Sequence, residues 1–478
     1  MVRVTNGPGD KWSGRRVGPI CRNRFGARQY ASSSLQTFLA RVLLSRIVKE
    51  VAYREKVIIE LGFCTVGSNY ASRLSVTAGI RRFGKVEWKH LSEIAVVHTD
   101  LIESESAGKV LGDEIRTSLH GETADAIILF ASPKYNHPVL LRSLDTACKP
   151  KILVGCSSAG EFTSDVPRES TACAIAIRSN EMRFSAGLGR NLRSDRMRAA
   201  QELVDSLKGQ QSQEYSYRSA MILTDALAGH ADGMLEQITL LTAGTYQFFG
   251  GGAGDDAKFS RTHVFLGTEA VHDAAVILEI LSNKPVGIGV SHGWEPASSS
   301  MRVTESAGPR LISINSIPAV DAFRAHADAT GQQFDSRDPL PFFLHNVLGI
   351  KSGNGYKLRV PLQAEPDGSI VCAAEIPMGS VVAFMKSTGA SAADAAAHAT
   401  QQALQKLGPH KPKVAIFFDC VATRLRTGRE FGFELAALQQ ALGPAPFAGC
   451  NSYGQIARAE GQFGGFHNCT AVIGVLPD

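Results

Sequence analysis

Two cysteines directly follow a glycine at the end of an apolar run, where a reactive thiol would first be sought. Cys156 lies in "ILVGCSSAGEF" (152–162) and Cys450 lies in "APFAGCNSYGQIA" (445–457). A sharp bend after a buried strand is where a nucleophile elbow exposes its reactive group. A thiol nucleophile also needs a base, usually histidine. The candidate bases are His137, His292 and His467. Buried cysteine is more often a small hydrophobic residue than a nucleophile, so we predict no catalytic residue and keep a Cys-dependent hydrolase or transferase as an alternative.

The same bends lack the residues that would bind a nucleotide phosphate. A Walker A loop ends in Gly-Lys followed by Ser or Thr, but Glu161 follows Gly160 and Gln455 follows Gly454. The dinucleotide pattern GxGxxG is absent from these bends as well. We therefore expect no nucleotide site at these positions.

A small ligand is the remaining use for these bends, which also include "YQFFGGGAGDDAKF" (246–259). Glycine lets another chain segment approach closely, and small polar side chains beside it can line a pocket. The candidate ligand-binding residues are Cys156, Ser157, Ser158, Glu161, Gly252, Asp255, Asp256, His292, Trp294, Asn451, Ser452 and Tyr453. For Asp255 and Asp256 we favour the capping of a turn over ligand contact.

Three other features of the sequence bear on this site. Arg424 and Arg426 could pair with a ligand carboxylate, but solvated loop charges are the preferred interpretation. Asp419 and Cys420 end a further apolar run. No pattern of metal ligands is evident, so no metal site is predicted.

The elements that position these bends alternate between strand and helix patterns. The first copy of a repeat runs from the strand pattern at 125–132 through a helix at 137–147 to strands at 151–155 and 171–179. Similar series occupy 219–281 and 413–476, each reading strand, helix, strand, glycine-rich turn and strand. Such alternation predicts an α/β fold with mixed sheets covered by helices. A separate helix is predicted at 105–119.

The charge is unevenly distributed along the 478 residues. Residues 1–90 contain 17 Lys and Arg against 5 Asp and Glu, whereas the whole chain has a net charge of only +5. The remainder is mildly acidic, which argues against a nucleic-acid partner. We predict a basic, poorly ordered extension over 1–90, with an amphipathic helix at 35–51.

Cysteine usage and hydropathy indicate the compartment. The nine cysteines include no CxxC pair and are widely spaced, as in a reduced protein without a disulfide framework. No apolar stretch reaches the roughly 20 residues that span a bilayer, and no secretory signal is evident. We predict a cytoplasmic protein without an integral membrane segment.

Three quoted stretches carry a resemblance to the FIST family. "VGCSSAGEF" resembles the N-terminal signature of that family, and "PVGIGVSHGWEPASSSMRVTESAGPRLISINSIPAVDAF" (285–323) resembles a later part of the same half. "APFAGCNSYGQIARAEGQFGGFHNCT" (445–470) resembles the closing motif of the C-terminal half, where Gln455 replaces the usual glutamate. The resemblance covers about residues 120–478 and implies a FIST N-terminal domain over 91–318 and a FIST C-terminal domain over 319–478.

The resemblance implies a sensory role without established catalysis. The expected ligand is an amino acid or a similar small solute, and the expected partner is a separate signalling protein such as a histidine kinase or a cyclic-dinucleotide enzyme. No cofactor is predicted, but some members resembling this architecture bind haem and sense nitric oxide. A haem-binding nitric-oxide sensor is therefore an alternative, with His467 and then His292 as the axial ligand.

Overall fold

The structure is a computed structural model that describes residues 58–66, 73–81, 92–164, 167–168, 171–353, 355–458 and 465–478. The chain divides into two compact units, Met1–Trp88 and Lys89–Asp478. The described part of the first unit is an antiparallel pair, β1 (Ile58–Val66) and β2 (Arg73–Arg81). The helix predicted at 35–51 and most of the predicted extension lie outside the described residues.

The second unit confirms the internal repeat, because three segments share one strand order. In each repeat the central strand pairs in parallel with the second strand and antiparallel with the return strand, which pairs antiparallel with an outer strand. Repeat 1 contains β3 (Glu93–Thr99, outer), β4 (Ala126–Ala131, central), β5 (Leu153–Ser157, second) and β8 (Ala172–Arg178, return). Repeat 2 contains β9 (Met182–Arg190), β10 (Tyr217–Thr224), β11 (Gln247–Gly252) and β14 (Ala274–Ser282) in the same roles. Repeat 3 contains β15 (Gly287–Ser291), β25 (Pro412–Cys420), β26 (Phe447–Ser452) and β29 (Ala471–Pro477).

The three repeats also share one register, which explains a glycine common to all of them. Leu129, Ile222 and Phe417 of the central strands lie opposite Gly155, Gly250 and Gly449 of the second strands. A Cβ atom at any of these glycines would collide with the carbonyl oxygen of its partner. Glycine is therefore required here by close backbone approach.

The repeats are interlocked because each sends a short strand to the next sheet. After the first turn, β6 (Glu161–Thr163) pairs with β26 of repeat 3. After the second turn, β12 (Val264–Leu266) pairs with β5 of repeat 1, and after the third, β27 (Gln455–Arg458) pairs with β11 of repeat 2. Each exchanged strand is followed by an edge strand: β7 (Pro167–Arg168), β13 (Glu269–Val271) and β28 (Gly465–His467). The result is three six-stranded mixed sheets joined in a closed cycle.

Helices cover the outer face of each sheet, as predicted for this fold class. Sheet 1 carries α1 (Ser104–Ser118) and α2 (His137–Cys148), sheet 2 carries α3 (Arg196–Asp205) and α4 (Ala231–Leu241), and sheet 3 carries α7 (Gly389–Leu407) and α9 (Phe431–Leu442). The inner faces share one apolar core, in which the rings of Phe130 and Phe249 lie 5.6 and 6.5 Å from that of Phe418.

Local sequence explains where the two helices of repeat 1 begin. The Glu103 carboxylate accepts hydrogen bonds from the first backbone N–H groups of α1, and Asn136 caps α2 in the same way. The helices predicted at 105–119 and 137–147 are both confirmed to within one residue at each end.

An inserted sheet interrupts repeat 3 between its outer strand and α7. Its strands are β16 (Glu295–Pro296), β17 (Met301–Ala307), β18 (Arg310–Ile314), β19 (Ile317–Pro318), β20 (Val347–Ser352), β21 (Gly355–Arg359), β22 (Pro361–Ala364), β23 (Ile370–Cys372) and β24 (Val381–Lys386). It carries α5 (Ala319–Thr330) and α6 (Leu340–Phe343), while α8 (Val421–Thr427) follows the central strand of repeat 3. No helix of the described residues combines the length and apolarity that bilayer crossing requires.

Candidate functional site

The three glycine-rich turns meet at one place. Ala159 N–H donates to Asn451 O at 2.9 Å, Tyr453 N–H donates to Gly252 O at 2.9 Å, and Gly254 N–H donates to Ser157 O at 2.8 Å. Each turn is therefore hydrogen-bonded to both others. The structure thus brings together turns that are far apart in the sequence, as the strand exchange requires.

The polar groups of the first turn are bonded to one another. The Ser158 hydroxyl donates to the Glu161 carboxylate, which also accepts from Thr171 N–H at 2.9 Å and Thr171 Oγ1 at 3.1 Å. Burial raises the pKa of Glu161 to about 7, although these hydrogen bonds oppose the shift. Ser157 accepts from His263 N–H at 2.9 Å.

The third turn repeats this arrangement with an amide in place of the carboxyl. Gln455 Nε2 donates to Ser452 Oγ at 3.0 Å, and Gln455 Oε1 accepts from Thr470 N–H at 3.3 Å. Asn451 Nδ2 donates to Asp419 Oδ2 at 3.2 Å. The polar side chains of this turn are all buried and occupied by internal partners.

The second turn is held by Asp255, which caps the following loop as preferred from the sequence. Its carboxylate accepts from the N–H groups of residues 259–261 at 2.7–2.8 Å and from the hydroxyl of Tyr453. The Tyr453 ring stacks on Phe259 with 4.6 Å between centroids. Asp256 instead accepts from Ser132 Oγ at 2.9 Å.

The remaining polar candidates are also engaged within the protein. His292 Nε2 donates to Tyr356 O at 3.0 Å while its Nδ1 accepts from Trp294 N–H at 3.3 Å, and burial lowers the pKa of this imidazole. The interpretation of Arg424 and Arg426 as solvated loop charges is wrong. Both are half-buried on α8, where Arg424 donates to Ala159 O and Arg426 lies 5.3 Å from the centre of the Trp294 ring.

The pockets of the structure separate the predicted ligand-binding residues into two groups. Tyr453 lines an apolar pocket and Trp294 lines a small cavity. The others line neither of these nor a third, charged pocket: Cys156, Ser157, Ser158, Glu161, Gly252, Asp255, Asp256, His292, Asn451 and Ser452. Their contact with a ligand stays a prediction.

Cys156 and Cys450 lie in the central core and do not form a nucleophilic site. Cys156 is 1% exposed and Cys450 is fully buried, and the two thiols are in contact. Burial raises the pKa of Cys450, so its thiol stays protonated and is a poor nucleophile. All seven cysteines between residues 92 and 478 are free thiols.

Of the two histidines proposed as haem ligands, His467 has a ring nitrogen without a partner. Nε2 of His467 is buried without a hydrogen-bond partner, and burial together with the charges of Lys357 and Arg359 lowers the pKa of His467 to about 3. A free imidazole nitrogen is what haem iron needs. Neither His467 nor His292 lines the apolar pocket, the small cavity or the charged pocket, and haem binding stays a prediction. Over the described residues, no cluster of His, Cys, Asp and Glu is arranged to hold a metal ion.

The apolar pocket lies beside the third turn and has a volume of about 60 Å³. Repeat 2 contributes Leu227 and Phe259, the inserted sheet contributes Val360, and the third repeat contributes Cys420 and Tyr453. Most of its wall is aliphatic or aromatic. Such a wall admits small neutral molecules in preference to ions.

The charged pocket is much larger, at about 540 Å³, and lies where repeat 2, the inserted sheet and β27 meet. This volume falls within the roughly 300–1,000 Å³ of small-molecule sites. Its cationic lining residues are Arg196, Lys351, Lys357, Arg359 and Arg458. Its acidic lining residues are Asp232, Glu236 and Glu375. Side chains of both signs of charge therefore line one cleft that is partly open to solvent.

Asp232 joins the two parts of the molecule that form this pocket. Its carboxylate on α4 of repeat 2 accepts from Lys357 Nζ and Arg359 Nη2 of β21, both at 2.5 Å, and from Phe466 N–H at 3.0 Å. The Arg359 side chain is only 2% exposed. Arg458 differs from these cations, because its Nη1 is buried without a hydrogen-bond partner.

Sequence reasoning missed the charged pocket because its residues carry no common motif. Asp232, Lys357 and Arg458 come from three distant segments that only the strand exchange and the inserted sheet bring together. Lys357 and Arg359 are a weak sequence signal of this pocket, because their spacing of two residues places both cations on one face of a strand.

Comparison with known proteins identifies the family. The family model of the FIST N domain matches residues 125–317, and that of the FIST C domain matches residues 319–458. No curated protein matches the chain. A solved structure of cyanuric acid hydrolase from A. caulinodans is similar at 7% identity and a TM-score of 0.28, over 81% of this chain and 99% of that one. The chain belongs to the FIST family, whose domains are associated with the sensing of small ligands in signal transduction.

Proposed function

We propose that this protein is a cytoplasmic sensor that binds an amino acid or a similar small polar solute in the charged pocket. The observation that carries the proposal is a cleft of about 540 Å³, partly open to solvent, with cationic and acidic side chains on its wall. An amino acid presents a carboxylate and an ammonium group, which need opposite charges at separate points of a site.

Arg458 is the side chain best suited to the ligand carboxylate. Arg458 lines the pocket and its Nη1 has no hydrogen-bond partner, so the half-buried guanidinium group would gain a charge-assisted hydrogen bond from a ligand carboxylate that reaches it. Glu236 and Glu375 offer carboxylates for an ammonium group. Lys357 and Arg359 already share Asp232, so they hold the wall in place.

The ion pairs of Asp232 with Lys357 and Arg359 connect the pocket to the rest of the molecule. They join α4 of repeat 2 to β21 of the inserted sheet, and both elements line the pocket. A ligand that contacts both α4 and β21 favours one arrangement of these two elements over another. The proposed output is a change in affinity for a separate signalling protein, such as a histidine kinase or a cyclic-dinucleotide enzyme.

Calorimetric titration of the full chain with each standard amino acid tests this function. We expect at least one to bind and to raise the melting temperature, since binding to the native state at 100 times Kd adds about 2.7 kcal/mol to its stability. Arg458→Gln should weaken that binding at least about tenfold. The matched control is Arg337→Gln, because the Arg337 side chain is 92% exposed and lines none of the three pockets. Absence of binding by every amino acid, or equal weakening by both substitutions, contradicts the proposal.

A further inference from the structure

The charged pocket carries more positive than negative charge. Five of the residues that line it are cationic and three are acidic. The body around it has the opposite balance, because residues 91–478 contain 33 Lys and Arg against 40 Asp and Glu. A cleft lined by an excess of one sign of charge raises the local concentration of ligands of the other sign. The pocket therefore attracts anions to a protein body that is acidic elsewhere.

Two of the five cations already have an acidic partner within the protein. Lys357 Nζ and Arg359 Nη2 each lie 2.5 Å from a carboxylate oxygen of Asp232. Arg359 Nε also donates to Glu375 O at 2.8 Å, and the Arg359 side chain is only 2% exposed. These two cations therefore stabilise the wall of the pocket and are not available to neutralise a ligand.

The other three cations come from three different elements. Arg196 is the first residue of α3, and its Nε lies 3.0 Å from the position that a Cβ atom at Gly233 of α4 would take. Lys351 belongs to the hairpin β20–β21, with its Nζ 5.0 Å from the centre of the Tyr356 ring. Arg458 is the last residue of β27. Over the residues that the structure describes, none of these three side chains forms an ion pair.

Arg458 and Arg196 lie toward opposite ends of α4. Side chains two residues apart on a strand share a face, and Ile456 packs in the core formed with α3 and α4. Arg458 therefore lies on the same side of sheet 2, with its Nη2 3.3 Å from the Cβ position of Gly244, which follows the end of α4. Its Nη1 is buried without a hydrogen-bond partner. Because the free positive charge is distributed along the pocket, it suits two separate anionic groups better than one.

Glu236 is the acidic group that remains for a ligand ammonium. It lies one helical turn after Asp232 on α4 and has no cationic partner among the described residues. Glu375 is engaged, because its Oε1 lies 3.2 Å from Nδ1 of His230. One ammonium and one carboxylate, as in a neutral amino acid, would therefore use one acid and one cation of the wall. Two of the three free cations would still have no counter-charge.

We infer that the ligand of the charged pocket is an acidic amino acid, glutamate or aspartate. The inference rests on the proposed function and adds to it the charge of the ligand side chain. Arg458 pairs with one carboxylate and Glu236 with the ammonium group, while Arg196 and Lys351 attract the second carboxylate. A charge-assisted hydrogen bond is stronger than a neutral one, so the site selects a carboxylate over an amide of the same shape.

A carboxylate fits the second position better than a phosphate group does. Glu236 and Glu375 line the same pocket and repel anions, and a phosphate group carries up to twice the charge of a carboxylate. The free cations are also spread over three elements, whereas a phosphate group is best held by donors that converge on it.

Calorimetric titration of the full chain with matched ligand pairs tests this charge preference. Glutamate and glutamine have nearly the same shape and differ in the charge of one group, as do aspartate and asparagine. We expect at least one acidic member to bind at least about tenfold more tightly than its amide. The preference should decrease as sodium chloride is added, because salt screens partly exposed charges. Glutarate, which lacks the ammonium group, should bind more weakly than glutamate, because it leaves Glu236 without a counter-charge.

Substitution of the two exposed cations tests which residues set the preference. Lys351→Gln and Arg196→Gln should each lower the preference for the acidic member about threefold, since exposed ion pairs are weak, and the double substitution should lower it further. Lys109→Gln is the matched control, because Lys109 is exposed on α1 and lines none of the three pockets. The control should keep the full preference.

The outcomes separate this inference from the proposed function. Equal affinity for the acid and the amide in both pairs, or tightest binding by a neutral amino acid, overturns the inference and leaves amino-acid sensing in place. An unchanged preference in the double variant overturns it as well. Tighter binding of O-phosphoserine than of glutamate and aspartate shows that the second group is a phosphate, which also overturns it. Failure of every amino acid to bind contradicts the proposed function itself.

Discussion

Glu161 in the first turn and Gln455 in the third turn occupy equivalent positions, and each is held by one serine and one threonine. The turns differ in the residue three positions after the one that lies opposite the shared glycine. In repeat 1 this residue is Ser132, which donates to Asp256, and in repeat 3 it is Cys420, which faces the apolar pocket. The same backbone arrangement therefore holds a buried carboxyl group that titrates in the first turn and a neutral amide that does not titrate in the third.

The backbone arrangement that the turns share depends on the glycine at the start of each turn. Substitution of this glycine should therefore have the largest effect on stability. Gly155→Ala and Gly449→Ala each place a Cβ atom against a backbone carbonyl of the central strand, so the strands must separate. We expect each to lower the free energy of unfolding by about 4 kcal/mol, as measured by urea denaturation.

Gly432→Ala is the control for these substitutions, because a Cβ atom there meets open space on α9. It should be neutral or stabilise the protein by up to about 1 kcal/mol. If Gly155→Ala lowers the free energy of unfolding strongly and Gly449→Ala does not, the two turns do not share one backbone arrangement.

Removal of the titrating carboxyl group of Glu161 in the first turn should have the next largest effect on stability. The folded-state pKa of Glu161 is raised to about 7 from an ordinary value of 4.5, so the folded protein binds this proton more tightly than the unfolded chain does. The stabilising contribution is fully present below about pH 4.5 and is lost as the pH rises through about 7. The raised pKa of Glu161 therefore changes the free energy of unfolding by about 3 kcal/mol over this pH range.

Glu161→Gln tests this pH dependence, because an amide can donate to Ser158 and accept from Thr171 without titrating. Urea denaturation between pH 4.5 and pH 8 should show that the variant loses about 3 kcal/mol less stability over this range than the unmodified chain. The exposed exchange Glu122→Gln serves as the control. Identical pH dependence in all three proteins would mean that Glu161 is ionised throughout.

The comparison also shows what the sequence could predict. The three apolar runs, their helices and the glycine-rich bends follow from local patterns, and the structure confirms their order. The exchange of β6, β12 and β27 between sheets is a long-range pairing that no local pattern specifies. For this reason the small polar residues of the turns looked like ligand contacts, whereas Ser158, Ser452 and their neighbours bond mainly to one another.

The pockets were harder to predict than the turns, because their residues come together only through the insertion in repeat 3. Arg458 and Asp232 belong to different repeats, and Lys357 belongs to the inserted sheet. Cys420 was visible at the end of its strand, but the apolar pocket that it lines also takes residues from repeat 2 and the inserted sheet, which are distant in sequence.

The last exchange gives the third turn the carboxyl of the first. Gln455→Glu places a carboxyl group beside Ser452 and Thr470, as Glu161 lies beside Ser158 and Thr171. Gln455 is fully buried, and burial raises the pKa of a carboxyl group, so this variant should lose stability as the pH rises. Urea denaturation between pH 4.5 and pH 8 should therefore show a larger loss of stability in Gln455→Glu than in the unmodified chain. The reverse exchange, Glu161→Gln, should show a smaller loss over the same range. Equal pH dependence in Gln455→Glu and the unmodified chain would show that the third turn does not hold a carboxyl group as the first turn does.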